Sequence, residues 1–254
     1  MTPRREFPQL MIGLVAVALA IAIAVPITAA IISGAIRDVK TRRDTIVVTG
    51  SARQPIEANL GIWHLTVSSK ERTPAAAARS LTRKVKAVDT FLEDGGLASD
   101  EIRKPPVSVQ QSSLSLPTGR AKPAFRQVPA WLVSQPYTVT TENLDSLEQT
   151  AAGVSNLLFQ GVDVSVTHIQ YVSTELTAAR FEALGKATAD AKRRAKTIAD
   201  GLHGHLGGVR KVDLGVYQIV PRNSTNVSDY GINDVSARQK DVIAVVTVTF
   251  AVNR

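Results

Sequence analysis

Along the chain the hydrophobic period switches repeatedly between two and about 3.6, which predicts interleaved strands and helices. Strands are expected over Thr45–Gly50, a β-branched run closed by glycine, and over Asn59–Ser69, where Trp63, Leu65 and Val67 share one face. Thr73 is placed to cap a helix that Pro74 enters, with Leu81, Val85, Val88 and Leu92 as its apolar stripe and Gly95-Gly96 as its stop. Extended segments follow at Pro106–Leu116 and Trp131–Thr141, joined by a long exposed hairpin connection carrying Pro117, Gly119, Pro123 and Pro129. A second helix is expected from Leu144 to Phe159, with Leu147, Ala151, Val154 and Leu158 on its buried face. Val162, Val164 and Val166 then alternate, but Ile169 and Tyr171 take the opposite parity, so a bulge is expected near His168. The longest helix of the domain runs from about Thr174 to Leu202 on a stripe of Leu184, Ala187, Ala191, Ala195, Ile198 and Leu202. Strands at Arg210–Val220 and Asp241–Val252 close the domain around a polar loop. The order β-β-α-β-β-α-β-α-β-β describes an α+β domain with a largely antiparallel sheet and helices packed on it.

Ahead of this domain lies an uncharged apolar run, Leu10–Ile36. As a helix rising about 1.5 Å per residue it reaches about 40 Å, more than the ~30 Å hydrocarbon core of a bilayer. The small residues Ser33-Gly34-Ala35 also suit a signal-peptidase site, but secretory h-regions are only about 7 to 15 residues long, so length favours an uncleaved anchor. The expected organisation is a short tail (1–9), a single transmembrane helix (10–36), a basic juxtamembrane linker (37–44) and the α+β domain (45–254). Two criteria disagree on orientation. Arg4 and Arg5 precede the span while Arg37, Lys40, Arg42 and Arg43 follow it, which favours a cytoplasmic domain. A short N-terminal tail before a long apolar run is the arrangement of a signal anchor whose C-terminal part is exported.

Composition narrows the chemistry. With no cysteine the chain has no disulfide, thiolate nucleophile or Cys-based metal site. Its net charge is +8, yet aromatic residues make up only 5%, too few for the stacking platforms of nucleic-acid binders, so the excess reads as a solvated or lipid-facing surface. His203 and His205 flank a glycine without accompanying ligands, and His64 and His168 lie on strands without a serine elbow. Gly201–Gly208 ends a helix rather than opening one and lacks the Lys-Ser/Thr pair of a phosphate loop. Asn223 and Asn226 head N-x-S/T matches that mark a polar loop. No catalytic, cofactor or metal residues emerge. The one contact candidate is the basic helix set Lys186, Lys192, Arg193, Arg194 and Lys196, whose chemistry suits an anionic lipid or polymer; a solvated helix face, helped by the dipole at the helix's carboxyl end, is the favoured account of it.

The segments Val47-Val-Thr-Gly-Ser-Ala-Arg53, Ile56-Glu-Ala-Asn-Leu-Gly-Ile-Trp63, Ala178–Leu202 leading to Leu206-Gly-Gly-Val-Arg-Lys-Val212, and Val245-Val-Thr-Val-Thr-Phe250 resemble, in order and spacing, the SIMPL-domain family of bacterial envelope proteins, in particular its membrane-anchored branch. The chain departs from that pattern where Lys240-Asp-Val-Ile-Ala replaces a Gly-Glu-x-x-Val-Ser-Ala lead, and between Ser112 and Pro129. The resemblance implies a non-enzymatic, single-pass protein of the bacterial inner membrane. Its domain is expected in the periplasm, self-associating or scaffolding another envelope protein, and the family is in some cases linked to envelope stress. No cofactor and no nucleic-acid partner are implied.

Overall fold

A computed structural model of the chain describes residues 44–117 and 125–253. The expected anchor at Leu10–Ile36, and the middle of the hairpin connection, lie outside the described residues. No helix among the described residues is long and apolar enough to cross a membrane.

The elements are β1 (Thr45–Glu57), β2 (Leu60–Glu71), α1 (Pro74–Asp94), β3 (Ile102–Arg103), β4 (Ser108–Pro117), β5 (Phe125–Thr141), α2 (Leu144–Ala152), α3 (Ser155–Phe159), β6 (Asp163–Val166) and β7 (Gln170–Val172), then α4 (Leu176–Gly201), β8 (His205–Leu214), β9 (Gln218–Pro221), β10 (Ile232–Asn233) and β11 (Gln239–Asn253). This is a mixed α+β fold, as expected, but its strands divide between two sheets rather than one. The pairing is antiparallel apart from the short parallel contact of β10 with β9. Two compact units form: residues 44–50, 188–214 and 246–253 make the first, and residues 51–187 and 215–245 the second.

The second unit holds the larger core. β2 and β5 pair from Gly61 opposite Thr141 to Glu71 opposite Trp131, and the predicted alternation holds, with Trp63, Leu65 and Val67 at most 1% exposed. They meet Val133, Tyr137 and Val139 of β5 and Leu81, Val88 and Leu92 of α1. The indole of Trp63 donates to the Thr167 carbonyl (3.1 Å) and the Tyr137 hydroxyl to Asp89 Oδ1 (3.0 Å), so the two largest buried side chains keep their polar ends satisfied. α1 starts as predicted, Thr73 Oγ1 accepting from the Ala76 amide. It stops at Gly95, where any side chain would lie 2.1 Å from Thr150 Oγ1 of α2, and at Gly96 (φ +79°).

Three expectations are corrected here. The helix expected over Leu144–Phe159 breaks at Gly153, whose amide is shared between the Gln149 and Thr150 carbonyls; the break rephases the second piece, so Leu157 is buried while Leu158 and Phe159 are exposed. The strand expected over Arg210–Val220 begins earlier, at His205, and is interrupted at 215–217. The Gly215 amide donates there to Val245 O, and a Cβ at Gly215 would lie 3.1 Å from that oxygen. The α4 stripe is narrower than expected: Ala179, Ala183, Ala187, Ala191, Ala195 and Ala199 are buried at strict four-residue spacing, whereas Ile198 and Leu202 face outward. The interruption between β6 and β7, both paired to β2, falls at 167–169, where the parity change places a bulge.

In the first unit β11 pairs with β8 from Val246 opposite Leu214 to Asn253 opposite His205, and β1 lies on the other side of β11. Thr49 and Thr247 hydroxyls meet at 3.0 Å across the polar face, and the Val252 amide donates to Asp44 O (2.9 Å). Val48, Ala191, Ala195, Ala199, Val246, Val248, Phe250 and Ala251 are the buried apolar side chains from which this unit builds its core.

Glycine contacts give a paired test. Gly95→Ala drives a methyl into Thr150 and is expected to cost about 1–3 kcal/mol. Gly185→Ala, mid-helix in open space, is expected to gain about 0.5–1 kcal/mol. Denaturant unfolding of the two variants against the parent chain reads both signs.

Candidate interaction surface

α4 carries all five basic residues singled out in the sequence, but it also carries their counter-charges. Arg193 Nη2 and Arg194 Nε (2.7 Å) both donate to Asp190, Lys196 Nζ reaches Asp200 (2.6 Å), and Lys186 pairs with Glu182 (2.7 Å) and Gln54 Oε1 (2.6 Å). Lys192 makes no ion pair among the described residues. The exposed i,i+4 pairs to Glu182 and Asp200 contribute a few tenths of a kcal/mol each and remain open to competition from an outside anion, whereas Asp190 is itself buried and holds its two arginines from below. Asp190 and Asp200 offset half the charge of Lys192, Arg193, Arg194 and Lys196, and a moderate positive excess is left.

Two apolar features lie in the same unit. The first is β8. Among the described residues it pairs with β11 alone, so the N–H and C=O groups along its other side have no partner strand there. Val212 and Leu214 stand opposite the buried Val248 and Val246, and Val209 opposite the buried Phe250, so all three point to the core side of the sheet. Nevertheless Val209, Val212 and Leu214 are 57%, 51% and 65% exposed. On the opposite face of the strand Lys211 and Asp213 pair at 2.7 Å. Gly207 lets β8 approach β11 closely, since a Cβ there would lie 3.1 Å from the Ala251 carbonyl oxygen.

The second feature is a furrow between α4 and β1. One part, of about 580 Å³, is lined by Asp44, Thr45, Ile46, Ile198, Ala199 and Leu202 among others. The adjoining part, of about 520 Å³, is lined by Val47, Val48, Thr49, Arg193, Arg194, Thr197 and Ile198. Ile198 borders both.

A residue-level match to a known family covers this whole architecture, from β1 to β11. The profile of SIMPL, described as a protein of unknown function (DUF541), spans residues 46–250. The chain belongs to the SIMPL family. A search of curated proteins finds no match.

In this SIMPL domain the segment that departs from the family pattern is structural. Lys240 is buried, and its ammonium donates to the carbonyls of Tyr171 (2.6 Å) and Asp234 (2.5 Å). Buried Asp241 accepts from Arg53 Nη1 (2.9 Å) and the Asn223 amide (3.2 Å), holding the start of the polar loop where Asn223 adopts φ +65°. Beside them Arg238 donates to Glu57 (3.1 Å) and Asp145 (2.5 Å), and the Tyr171 hydroxyl donates to Glu148 (2.9 Å). Hydrogen bonds to backbone carbonyls and to packed carboxylates consume these groups as ties between β7, β11 and the loop. The histidines are similarly plain: His203 (φ +57°) follows α4, His205 faces Asn253, and His64 Nδ1 lies 3.2 Å from Thr138 Oγ1. No group of three potential metal ligands occurs among the described residues.

Burial, reinforced by the Glu148 hydrogen bond and charge, pushes Tyr171 up to about 12. The folded state therefore holds a proton that the unfolded tyrosine releases near pH 10, and stability falls as pH rises between those values. Burial acts oppositely on Lys240, lowering its value despite Asp234, so the cost of its buried charge is relieved as pH rises toward the ordinary lysine range. Tyr171→Phe is expected to make the alkaline decline shallower, leaving the part due to Tyr137, which burial also raises. Urea unfolding across the alkaline range measures the slope, and an unchanged slope contradicts the assignment.

Proposed function

We propose that this protein is a non-enzymatic, membrane-anchored component of the bacterial cell envelope that self-associates through the free edge of β8. The observation that carries this reading is the coincidence, on one strand, of an unpaired backbone edge and an uncovered apolar row, Val209, Val212 and Leu214. The occupant that fits is a second copy of β8. In an antiparallel pairing about a twofold axis, Val212 faces its own counterpart and Lys211 stands opposite Asp213 of the second copy, and the reverse, so opposite charges meet across the junction. The same charges discourage pairing in other registers, where like would face like.

The anchor expected over Leu10–Ile36 supports the reading energetically. Copies held in one membrane meet at a raised effective concentration, so a short strand pair can suffice where free diffusion would demand a larger interface. An inner-membrane location with the domain in the periplasm accords with the signal-anchor arrangement and with the family. A scaffold for another envelope protein follows if that partner adds its own strand to the same edge. The alternative reading, a module binding an anionic envelope component, is favoured by the exposure of Lys192, Arg193, Arg194 and Lys196; Asp190 and Asp200 weaken it.

Sedimentation of the full chain in density-matched micelles tests the main reading. Dimers or larger assemblies are expected for the parent. Val212→Lys, which places like charges face to face across the junction, is expected to weaken association on the order of tenfold, about 1.4 kcal/mol. Because the position is exposed, its unfolding free energy should stay within about 0.5 kcal/mol of the parent. Association unaltered by Val212→Lys excludes β8 as the contact.

A further inference from the structure

The furrow between α4 and β1 has a property that the β8 edge lacks: it opens beside Asp44, where the chain runs back toward its apolar segment. Eight Cα–Cα steps separate Ile36 from Asp44, so Asp44 lies at most about 29 Å from the end of that segment whatever path the linker takes. Two apolar side chains point outward at this place, Leu202 at 76% exposure and Ile198 at 44%, one helical turn apart. Arg194 continues the same four-residue row and Arg193 stands beside it, both lining the furrow. The row therefore grades from guanidinium to isobutyl side chains toward the end where the chain departs. Such a gradient matches the outer layers of a bilayer, phosphate first and acyl boundary deeper, and arginine's fork suits phosphate oxygens. In sequence the departing linker adds Arg37, Lys40, Arg42 and Arg43.

We propose that this furrow is a membrane-docking surface that lies on the anionic bilayer in which the chain is anchored. Arg193 and Arg194, exposed while still paired to buried Asp190, turn their free N–H groups to lipid phosphates, Lys196 exchanges the exposed carboxylate of Asp200 for them, and Ile198 and Leu202 enter the interfacial layer. The inference rests on the reading of residues 10–36 as a membrane anchor, and deepens it by giving the domain a preferred side toward the lipid.

The absence of cysteine makes the test direct. The full chain carrying Leu202→Cys or, for comparison, Tyr230→Cys (97% exposed) is labelled with an environment-sensitive fluorophore. Each is reconstituted into phosphatidylcholine vesicles with or without phosphatidylglycerol and with a nitroxide quencher at headgroup depth. Quenching at position 202 is expected to exceed that at 230 by roughly threefold or more on anionic vesicles. It is expected to fall to the phosphatidylcholine level when Arg193, Arg194 and Lys196 become Gln. Quenching at 202 no greater than at 230, in protein that still floats with the vesicles after alkaline carbonate, overturns the docking surface and leaves the anchor standing. A label at 202 shielded from water yet not quenched points to a second protein copy in the furrow and also overturns it. Protein that fails to float overturns the anchor, and the docking surface with it.

Discussion

A helix that meets a sheet through alanine comes close to it but covers little of it. In the first unit that constraint governs what is buried and what is left open. Ala191, Ala195 and Ala199 sit at four-residue intervals with essentially no exposure, and Val48, Val246, Val248 and Phe250 are the larger buried apolar side chains of the unit. Wider residues at those helix positions would hold the helix further off and shield more of the sheet. With alanine the cover ends early. The apolar row of β8 stays open on one flank, and on the other the furrow beside β1 is left, edged by Ile198 and Leu202.

The uncovered surface bears directly on function. Apolar side chains on a free sheet edge are a hazard unless something occupies them, and on the proposed pairing the charges of Lys211 and Asp213 would make β8 selective rather than generally adhesive. In the second unit the largest buried polar side chains are tied internally: Trp63 and Tyr137 find acceptors, and Lys240 and Asp241 tie down the loop between β9 and β11. Its interior reads as a stable frame, with Phe159, Phe181 and Tyr230 exposed on its surface, whereas the apolar row along a sheet edge belongs to the first unit.

Much of this was legible in the sequence. The alternation of Trp63, Leu65 and Val67, the Thr73 cap and the parity change near His168 each translated directly into structure, because each is a local pattern with one geometric outcome. Gly153 hid a break because a glycine is tolerated within helices, and the break turned Leu157 inward in place of Leu158. Gly207 concealed the start of β8, reading as a helix terminator when its use is close approach to Ala251. The basic residues of α4 were visible, and so was the spacing of Asp190, Glu182 and Asp200 that partners them, but the pairing carries weight only once the side chains are seen to meet. The free edge of β8 depends on which strands neighbour it, and that is a property of the assembled sheet.

The central claim is that β8 meets β8, and a single engineered cysteine reads it. Antiparallel partners stand about 4.5–5.5 Å apart at Cα, within the range a disulfide can bridge. Under mild oxidation of the full chain in its membrane, Val212→Cys is predicted to give a cross-linked dimer, while Val47→Cys on β1, the more exposed of the two positions, is not. A dimer formed through position 47, or none through position 212, would contradict the account.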